Sequence, residues 1–385
     1  MIMLVLSGKR IHWALSIILL MLLSASCQKE PGISPDPYPC TDCEDDALIE
    51  GRYQPEAYAF ELPDWMPMPI IPEDNPTTVA GVALGRRLFY DPILSADSTQ
   101  SCASCHQQKR AFTDGRVLSV GIRGLEGRRN AMSLVNMGYN ARGFFWDGRS
   151  DNLEEQALIP IEDHLEMDNT WEAVEEDLRA HPDYPRYFRE AFGVERKSEI
   201  NRDLVVKAIA QFERTLISYQ SRYDQIVWER QGFPTDSEQR GLELFFIEDN
   251  QEVEHPGCSH CHFNPHFTDH SFKNNGLDTV ANLADFSDLG RGEVTSNRFD
   301  NGKFRVPSLR NVALTAPYMH DGRFETLEEV LDHYSSGGHG IINEDPNIRP
   351  FTMTEQDKAD LIAFLNMLTD TSFINNPAFA NPFTE

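Results

Sequence analysis

The spacing of apolar residues along the chain predicts mainly helices. Between residues 201 and 219, Leu204, Ala208, Phe212 and Leu216 recur every four residues, which places them on one face of a helix. Similar patterns predict helices over the ranges 79–89, 153–157, 171–179, 327–334 and 355–368. Alternating apolar and polar residues, which would indicate strands, are scarce. The pattern therefore predicts a mostly α fold.

Residues 1–26 have the pattern of an export signal. Lys9 and Arg10 precede the apolar run ALSIILLMLL, which is too short to span a membrane and is typical of a signal-peptide core. Cys27 follows small residues, so we expect a lipoprotein-type signal with Cys27 as the lipid anchor. The alternative is an ordinary signal peptide with an incidental cysteine. Both interpretations predict an exported, periplasmic protein.

Residues 27–72 begin with a segment rich in proline and acidic residues, which predicts a tether between the anchor and the folded body. Cys40 and Cys43 form a CxxC that no histidine follows. A local disulfide is the expected role in an oxidising compartment, whereas a metal site would need further ligands nearby.

The charge of the chain restricts its partners. With 34 basic and 61 acidic residues, the formal net charge is −27. This charge argues against nucleic acid and against a basic membrane-binding face, so the lipid anchor is the only membrane contact that we expect. A basic soluble partner would be attracted.

Two CxxCH motifs carry the clearest chemistry. In such a motif two thiols add to the vinyl groups of a haem, and the adjacent histidine supplies an iron ligand. The motifs are CASCH and CSHCH, and the residues that would hold two haem c groups are Cys102, Cys105, His106, Cys258, Cys261 and His262.

The surroundings of the two motifs are similar. An FTD phrase follows each motif, in residues 111–115 and 266–270, and a DGR phrase comes later in each half. This weak duplication predicts two homologous haem domains, which we place at residues 73–220 and 221–385.

From about Val82 to Leu368 the chain resembles the bacterial dihaem cytochrome c peroxidase family, including its methylamine-utilisation relatives, which mature a protein cofactor. The matching phrases are LGRRLFYDPILS, CASCH, RNAMSLVNMGYN, FFWDGRSDNLEEQA, CSHCH, FRVPSLRNVALTAPYMHDG and TLEEVLDHY. The resemblance implies a mostly α fold of two cytochrome c-like haem domains packed together. Irregular stretches such as residues 269–303 are expected where porphyrin fills the interior.

The resemblance also implies that peroxide binds at the first haem. In family members that rest in an inactive form, a histidine in the loop after the first CxxCH caps this iron. Here the loop reads SVGIRG, with Ile122 at that position. Because isoleucine cannot bind iron, we expect an open first haem at rest. The alternative is a remote ligand, for instance His164.

Three further residues take roles from the resemblance. Glu166 matches the family's distal acid, which moves a proton during peroxide cleavage, and Gln156 matches its amide partner. Trp146 matches the tryptophan that lies between the haems and relays electrons. Without the resemblance, Glu166 would be interpreted as a solvated charge and Trp146 as a core residue.

The distal ligand of the second haem has two candidates. Peroxidases of the family use a methionine after the HDG phrase, whereas the cofactor-maturing relatives use a tyrosine. Tyr334 shares the inward face of a predicted helix with Leu327 and Leu331, and His333 is expected to lie off that face. We favour Tyr334 over its rival Met319. A tyrosinate ligand would make the second iron harder to reduce.

The resemblance further implies one Ca²⁺ between the domains. Asn130, Thr315 and Pro317 match its ligand positions, and amide and carbonyl oxygens suit this cation.

The expected function is the reduction of hydrogen peroxide to water, with electrons from a small c-type cytochrome or cupredoxin. The alternative is a methylamine-utilisation-type oxidase that uses peroxide to modify a partner protein. An electron carrier would need a second strong ligand on both irons, which the sequence does not offer near the first haem. Family members are often dimers, so a homodimer is also open.

Overall fold

Short helices joined by long loops make up the structure, a computed structural model that describes residues 46–48, 53–247 and 257–384. Within these ranges, the only strands longer than an isolated bridge are two strands of two residues each. The predicted mostly α fold is therefore confirmed. No helix of this part of the chain is long and apolar enough to cross a membrane.

Some N-terminal predictions fall outside the described residues. These are the signal peptide of residues 1–26, the anchor Cys27, and the Cys40 and Cys43 pair. Residues 27–45 of the predicted tether also lie outside the described residues. Its last part is described and contacts the body, because Trp65 stacks on Trp228 with ring centroids 5.3 Å apart.

The helices follow one another in two similar halves. The first half contains α1 (Val79–Tyr90), α2 (Cys102–Cys105), α3 (Leu153–Glu162), α4 (Trp171–Ala180), α5 (Tyr184–Phe192) and α6 (Arg202–Glu213). The second half contains α7 (Arg222–Val227), α8 (Asp236–Phe246), α9 (Arg291–Thr295), α10 (Leu327–Ser336), α11 (Glu355–Met367) and α12 (Thr371–Asn375).

Strand β1 (Phe272–Lys273) pairs antiparallel with β2 (Phe304–Arg305) in the second half. Single turns of 3-10 helix lie at Pro92–Leu94, Gln108–Arg110, Met137–Tyr139, Lys197–Glu199, Cys258–His260, Arg298–Asp300, Val312–Leu314 and Pro377–Phe379. The long loops leave room for side chains from several elements to converge on one site.

Side-chain caps set the beginnings of the main helices. The Thr78 side chain accepts a hydrogen bond from the Gly81 N–H at the start of α1, and Asn201 caps α6 in the same way. Helix α11 begins with a capping box in which Thr354 and Asp357 satisfy each other's backbone N–H groups. These caps supply acceptors for N–H groups that have no partner within the helix.

The two halves repeat one helix crossing. In the first half, α1 crosses α6 so closely that a Cβ on Gly85 would lie 1.9 Å from the Ala208 carbonyl oxygen. In the second half, α8 crosses α11, and a Cβ on Gly241 would lie 1.9 Å from the Asp360 carbonyl oxygen. Only glycine permits either approach, so the two halves share this local feature.

Aromatic rings pack one turn after each glycine. Phe89 lies 5.3 Å from Phe212 in the first half, and Phe245 lies 4.8 Å from Phe364 in the second. All four rings are buried. Each half therefore has an apolar core built around its own helix crossing.

The C-terminal segment returns to the first half. The Phe373 ring lies 5.6 Å from that of Phe112, and the Tyr90 hydroxyl donates a 2.6 Å hydrogen bond to the Phe379 carbonyl oxygen. Residues from Asp46 onward belong to one compact unit. The C-terminal segment, through Phe373 and Phe379, thus packs against the core of the first half.

Candidate functional site

The first CxxCH lies on the short helix α2. Ser101 and Ser104 form a capping box at its beginning, and His106 follows its last residue. The His106 Nδ1 lies 2.8 Å from the Phe112 carbonyl oxygen. A ring held through Nδ1–H keeps its lone pair on Nε2, which is the tautomer that binds a metal.

The second CxxCH repeats this arrangement. The His262 Nδ1 lies 3.0 Å from the Phe267 carbonyl oxygen, and burial lowers the pKa of His262, as it does that of His106. Cys258 and Cys261 are free thiols. Both sites thus hold a free cysteine pair and a neutral, oriented histidine, and this donor set fits a covalently attached haem.

A cavity of about 310 Å³ opens beside the first motif. Its lining includes Cys102, Cys105 and His106. Glu166, Gln156 and Trp146 line the same cavity, although they come from different loops and helices. The structure therefore brings all six residues that the sequence associated with the first haem to one place.

Glu166 is the acid of this cavity. Burial and, to a smaller extent, the nearby Asp163 charge raise the pKa of Glu166 to about 7, and Arg149 opposes this rise. A carboxyl group with a pKa near 7 exchanges a proton easily at neutral pH, as proton-transfer catalysis requires. Glu166 is thus not the fully solvated charge that its sequence context alone would give.

The backbone around Glu166 is fixed by the loop that contains Ile122. The Ile122 N–H donates a 3.0 Å hydrogen bond to the Glu166 carbonyl oxygen. A Cβ on Gly121 would lie 2.1 Å from the Leu165 carbonyl oxygen, so glycine is required for this close approach. The loop that contains Ile122 therefore holds the segment of Glu166 in place.

Gln156 reaches the cavity because of its position on α3. Leu153, Gln156, Ala157 and Pro160 line the cavity and occupy positions i, i+3, i+4 and i+7, so they share one face of the helix. The alternative ligand His164 has a side chain that is 67% exposed and does not belong to the cavity lining.

Trp146 lies between two cavities. It lines the first-haem cavity and also a second, inter-half cavity formed where the two halves meet. Its Nε1–H donates a 2.9 Å hydrogen bond to the Asn130 carbonyl oxygen, which fixes the ring. The ring is half-buried.

The predicted calcium residues converge on the inter-half cavity. Asn130, Thr315 and Pro317 all line it. The Asn130 Nδ2 donates to the carbonyl oxygens of Arg116 and Val117, which leaves its amide oxygen as the group that could bind a cation. Among the described residues, no cluster of three or more His, Cys, Asp or Glu side chains offers a competing metal site.

Both candidate distal ligands of the second haem approach one asparagine. The Asn275 Nδ2 lies 3.3 Å from the Tyr334 hydroxyl and 3.5 Å from the Met319 sulfur. Burial raises the pKa of Tyr334, and the hydrogen bond from Asn275 opposes this rise. The Tyr334 hydroxyl is close enough to Cys258 and Cys261 to interact with them electrostatically.

The expectation that His333 lies off the inward face of α10 is wrong. His333 is 9% exposed, and its Nε2 lies 2.9 Å from the Asn275 carbonyl oxygen. Asn275 contacts both His333 and Tyr334, so these adjacent positions are both covered. The hydrogen bond occupies the ring nitrogen and makes His333 a structural residue.

Sequence reasoning missed two charged groups of the first cavity. Glu213 is buried at the end of α6, one of its carboxylate oxygens has no hydrogen-bond partner among the described residues, and burial raises its pKa to about 8. Arg305 is buried and lines both cavities. Glu213 lies in the predicted helix of residues 201–219, and Arg305 lies in the family phrase FRVPSLRNVALTAPYMHDG. Only the fold shows that both side chains are buried.

Comparisons with known proteins identify relatives of this chain. Residues 79–232 match the sequence model of the family described as Di-haem cytochrome c peroxidase. The methylamine utilization protein MauG of Methylorubrum extorquens is 37% identical over 314 residues, which cover 80% of this chain and 83% of that protein. The cytochrome c551 peroxidase of Nitrosomonas europaea is 35% identical over 286 residues, covering 74% of this chain and 79% of the relative.

The fold has a similar counterpart among solved structures. One such structure is the crystal structure of a MauG-like protein associated with microbial copper homeostasis. It matches this chain with a TM-score of 0.78 and 38% sequence identity, and the match covers 85% of this chain and 100% of that protein. The chain therefore belongs to the dihaem cytochrome c peroxidase family, which includes the MauG-like proteins. It is a peroxidase-type oxidoreductase, and its family membership implies covalently bound haem c.

Proposed function

We propose that the protein reduces hydrogen peroxide to water at its first haem. Electrons would enter singly through the second haem from a small c-type cytochrome or cupredoxin. The observation that carries the proposal is the single cavity that His106 shares with Glu166 and Gln156. An iron ligand, a titratable acid and a neutral amide are the groups that peroxide cleavage needs.

The haem, when bound, would supply an iron atom that binds peroxide and passes it the two electrons that reduce it, which the donor protein then replaces one at a time. The protein supplies the proton transfer. The Glu166 carboxylate would take a proton from one peroxide oxygen and give it to the other, which would leave as water when the O–O bond breaks. The Gln156 amide orients the peroxide by hydrogen bonding. Ile122 in place of a capping histidine supports an open iron at rest.

Trp146 would carry electrons between the haems. It lines both the first-haem cavity and the inter-half cavity, and its indole is held by Asn130. An oxidisable ring at this position shortens the path for electron transfer.

Replacing this ring tests the relay. We expect Trp146→Phe to slow electron transfer between the haems, because phenylalanine fills much of the space but is far harder to oxidise. The rate is measured by rapid mixing of the half-reduced protein with peroxide and following each haem band. Trp65→Phe, which removes a tryptophan stacked on Trp228 away from both cavities, is the control. An unchanged rate in Trp146→Phe would make Trp146 a packing residue.

Tyr334 is proposed as the distal ligand of the second haem, supported by its place near the second cysteine pair. We expect Tyr334→Met to raise the reduction potential of the second haem, because a thioether favours ferrous iron more than an anionic oxygen does. A spectroelectrochemical titration measures both haems. Met319→Leu should leave the potential unchanged. If Met319→Leu alters the second haem spectrum and Tyr334→Met does not, Met319 is the ligand.

A second candidate function is the peroxide-driven modification of a partner protein. The similarity to MauG and to a MauG-like structure favours it, as does a tyrosine near the second haem. Two assays separate the candidates. Rapid, peroxide-dependent oxidation of a reduced small cytochrome supports the peroxidase, whereas slow cytochrome oxidation with peroxide-dependent mass changes in a co-purifying protein supports the alternative.

The proposal also includes a Ca²⁺ site, export to the periplasm and a lipid anchor. One Ca²⁺ would bind at Asn130, Thr315 and Pro317, supported by their shared cavity. The protein would be exported to the periplasm and held at a membrane through Cys27. Removal of Ca²⁺ by a chelator, followed by metal analysis and haem spectra, tests the cation site.

A further inference from the structure

Arg305 is a buried cation with no anion beside it. It is 3% exposed, and its guanidinium contacts the sulfur atoms of Met132 at 3.3 Å and Met137 at 3.7 Å. Its Nε–H points to the Phe145 carbonyl oxygen at 3.3 Å. Among the described residues, no carboxylate forms an ion pair with it.

The other buried arginines differ in this respect. Arg310 makes two 2.8 Å hydrogen bonds to the Asp224 carboxylate, and Arg214 lies 2.6 Å from a Glu154 oxygen. Burial lowers the pKa of Arg305 to about 10, so its side chain is still protonated at neutral pH. A charge taken out of water without a partner is strongly unfavourable, and the protein alone does not supply the partner.

The position of Arg305 indicates where its anion lies. The residue belongs to β2 of the second half, yet its side chain lines the cavity of the first CxxCH. Its backbone N–H donates a 2.8 Å hydrogen bond to the Trp146 carbonyl oxygen. Arg305 thus connects the second half, the first-haem cavity and the backbone of Trp146.

We propose that the Arg305 guanidinium binds a propionate of the haem attached at Cys102 and Cys105. A haem carries two propionate carboxylates, and the planar guanidinium pairs with a carboxylate through two parallel hydrogen bonds. The ion pair neutralises the buried charge. The inference needs only haem at the first site, so it stands independently of the proposed peroxide chemistry.

This contact would affect the electronic properties of the first haem. A fixed positive charge beside the propionate disfavours the additional positive charge of ferric iron, so it raises the reduction potential. It would also hold the propionate ionised, which keeps the potential independent of pH around neutrality. The contact would link the haem edge to the backbone of Trp146.

The test uses the intact holoprotein with Arg305→Gln. Resonance Raman spectra report the propionate bending band, and spectroelectrochemical titrations between pH 5 and 8 report both potentials. We expect a shifted propionate band, a lower potential for the first haem, and a new pH dependence of that potential. The second haem should be unchanged. Arg305→Lys keeps the charge but loses the planar pair, so it should shift the band and largely restore the potential.

Arg291→Gln is the matched control. Arg291 also reaches from the second half to the loop after Trp146, where it donates to the carbonyl oxygens of Asp147 and Gly148, but it lines neither cavity. It should leave the propionate band and both potentials unchanged. An unchanged band and unchanged potentials in haem-loaded Arg305→Gln would overturn the proposal, as would a shift confined to the second haem. If Arg305→Gln does not assemble, an unchanged propionate band in Arg305→Lys would overturn it.

Discussion

Glu166→Gln is expected to lower the rate of peroxide turnover by about 10²–10⁴-fold, the usual contribution of a positioned acid–base group. Glutamine has nearly the same shape as glutamate, so both haem spectra should stay the same. The amide cannot accept a proton from one peroxide oxygen and deliver it to the other. The loss should appear in kcat/KM for peroxide, measured with a reduced cytochrome as donor.

The pH profile gives a second test of Glu166. Burial raises its pKa to about 7, so the carboxylate that accepts the first proton predominates only above that pH. In the wild-type protein, kcat/KM for peroxide should therefore rise as the pH increases through about 7. In Glu166→Gln this rise should disappear.

Glu162→Gln is the matched control, because Glu162 is an exposed glutamate at the end of α3 and does not line the cavity. It should leave both the rate and the pH profile unchanged. If Glu166→Gln turns over peroxide at the wild-type rate, Glu166 has no part in the mechanism.

The second large effect concerns stability. Asp224 and Arg310 are both 0% exposed and joined by two 2.8 Å hydrogen bonds. Asp224 also forms a capping box with Ser221 at the start of α7, in which each side chain accepts a hydrogen bond from the other's backbone N–H. The Arg310 Nε donates to the Pro265 carbonyl oxygen, just after the second CxxCH. We expect Asp224→Asn to lower the free energy of unfolding by about 3–5 kcal/mol, because it leaves a buried guanidinium without its counter-charge.

Chemical denaturation of the holoprotein measures this loss. The comparison is Glu190→Gln, which removes an exposed ion pair with Arg186 within one helix and should cost less than about 0.5 kcal/mol. A loss of less than about 1 kcal/mol in Asp224→Asn would show that the buried pair does not stabilise the second half. The second haem band should broaden first, since the pair anchors the loop that follows His262.

Much of the fold could be predicted from local pattern. Helix α1 begins at Val79 as predicted and ends one residue later, and α11 matches within one residue, because apolar spacing and caps act over a few neighbouring positions. The predicted helix over residues 153–157 continues to Glu162 past Pro160.

The haem-attaching residues could also be predicted, because CxxCH is contiguous and each of its residues has a mechanical reason. The remaining site residues are distant in sequence. Glu166 and Gln156 were assigned by resemblance, and only the fold shows that they share a cavity with His106. Arg305 and Glu213 gave no signal, because burial depends on the whole fold and the sequence offers many other charged residues.

The inward face of α10 shows a different limit. Helical spacing placed Tyr334 inward and His333 outward, yet His333 is the more buried of the two. Periodicity assumes that one side of a helix meets the core. Here a loop covers the neighbouring side as well, and a contact of this kind is not encoded in the helix itself.

The most direct test of the central claim is to mix fully oxidised protein with one equivalent of hydrogen peroxide, without a reductant, and follow the haem absorption. An open first haem, as expected from Ile122, predicts an immediate spectral change. No change until one haem has been reduced would contradict the account, because some ligand would then cap the first iron at rest.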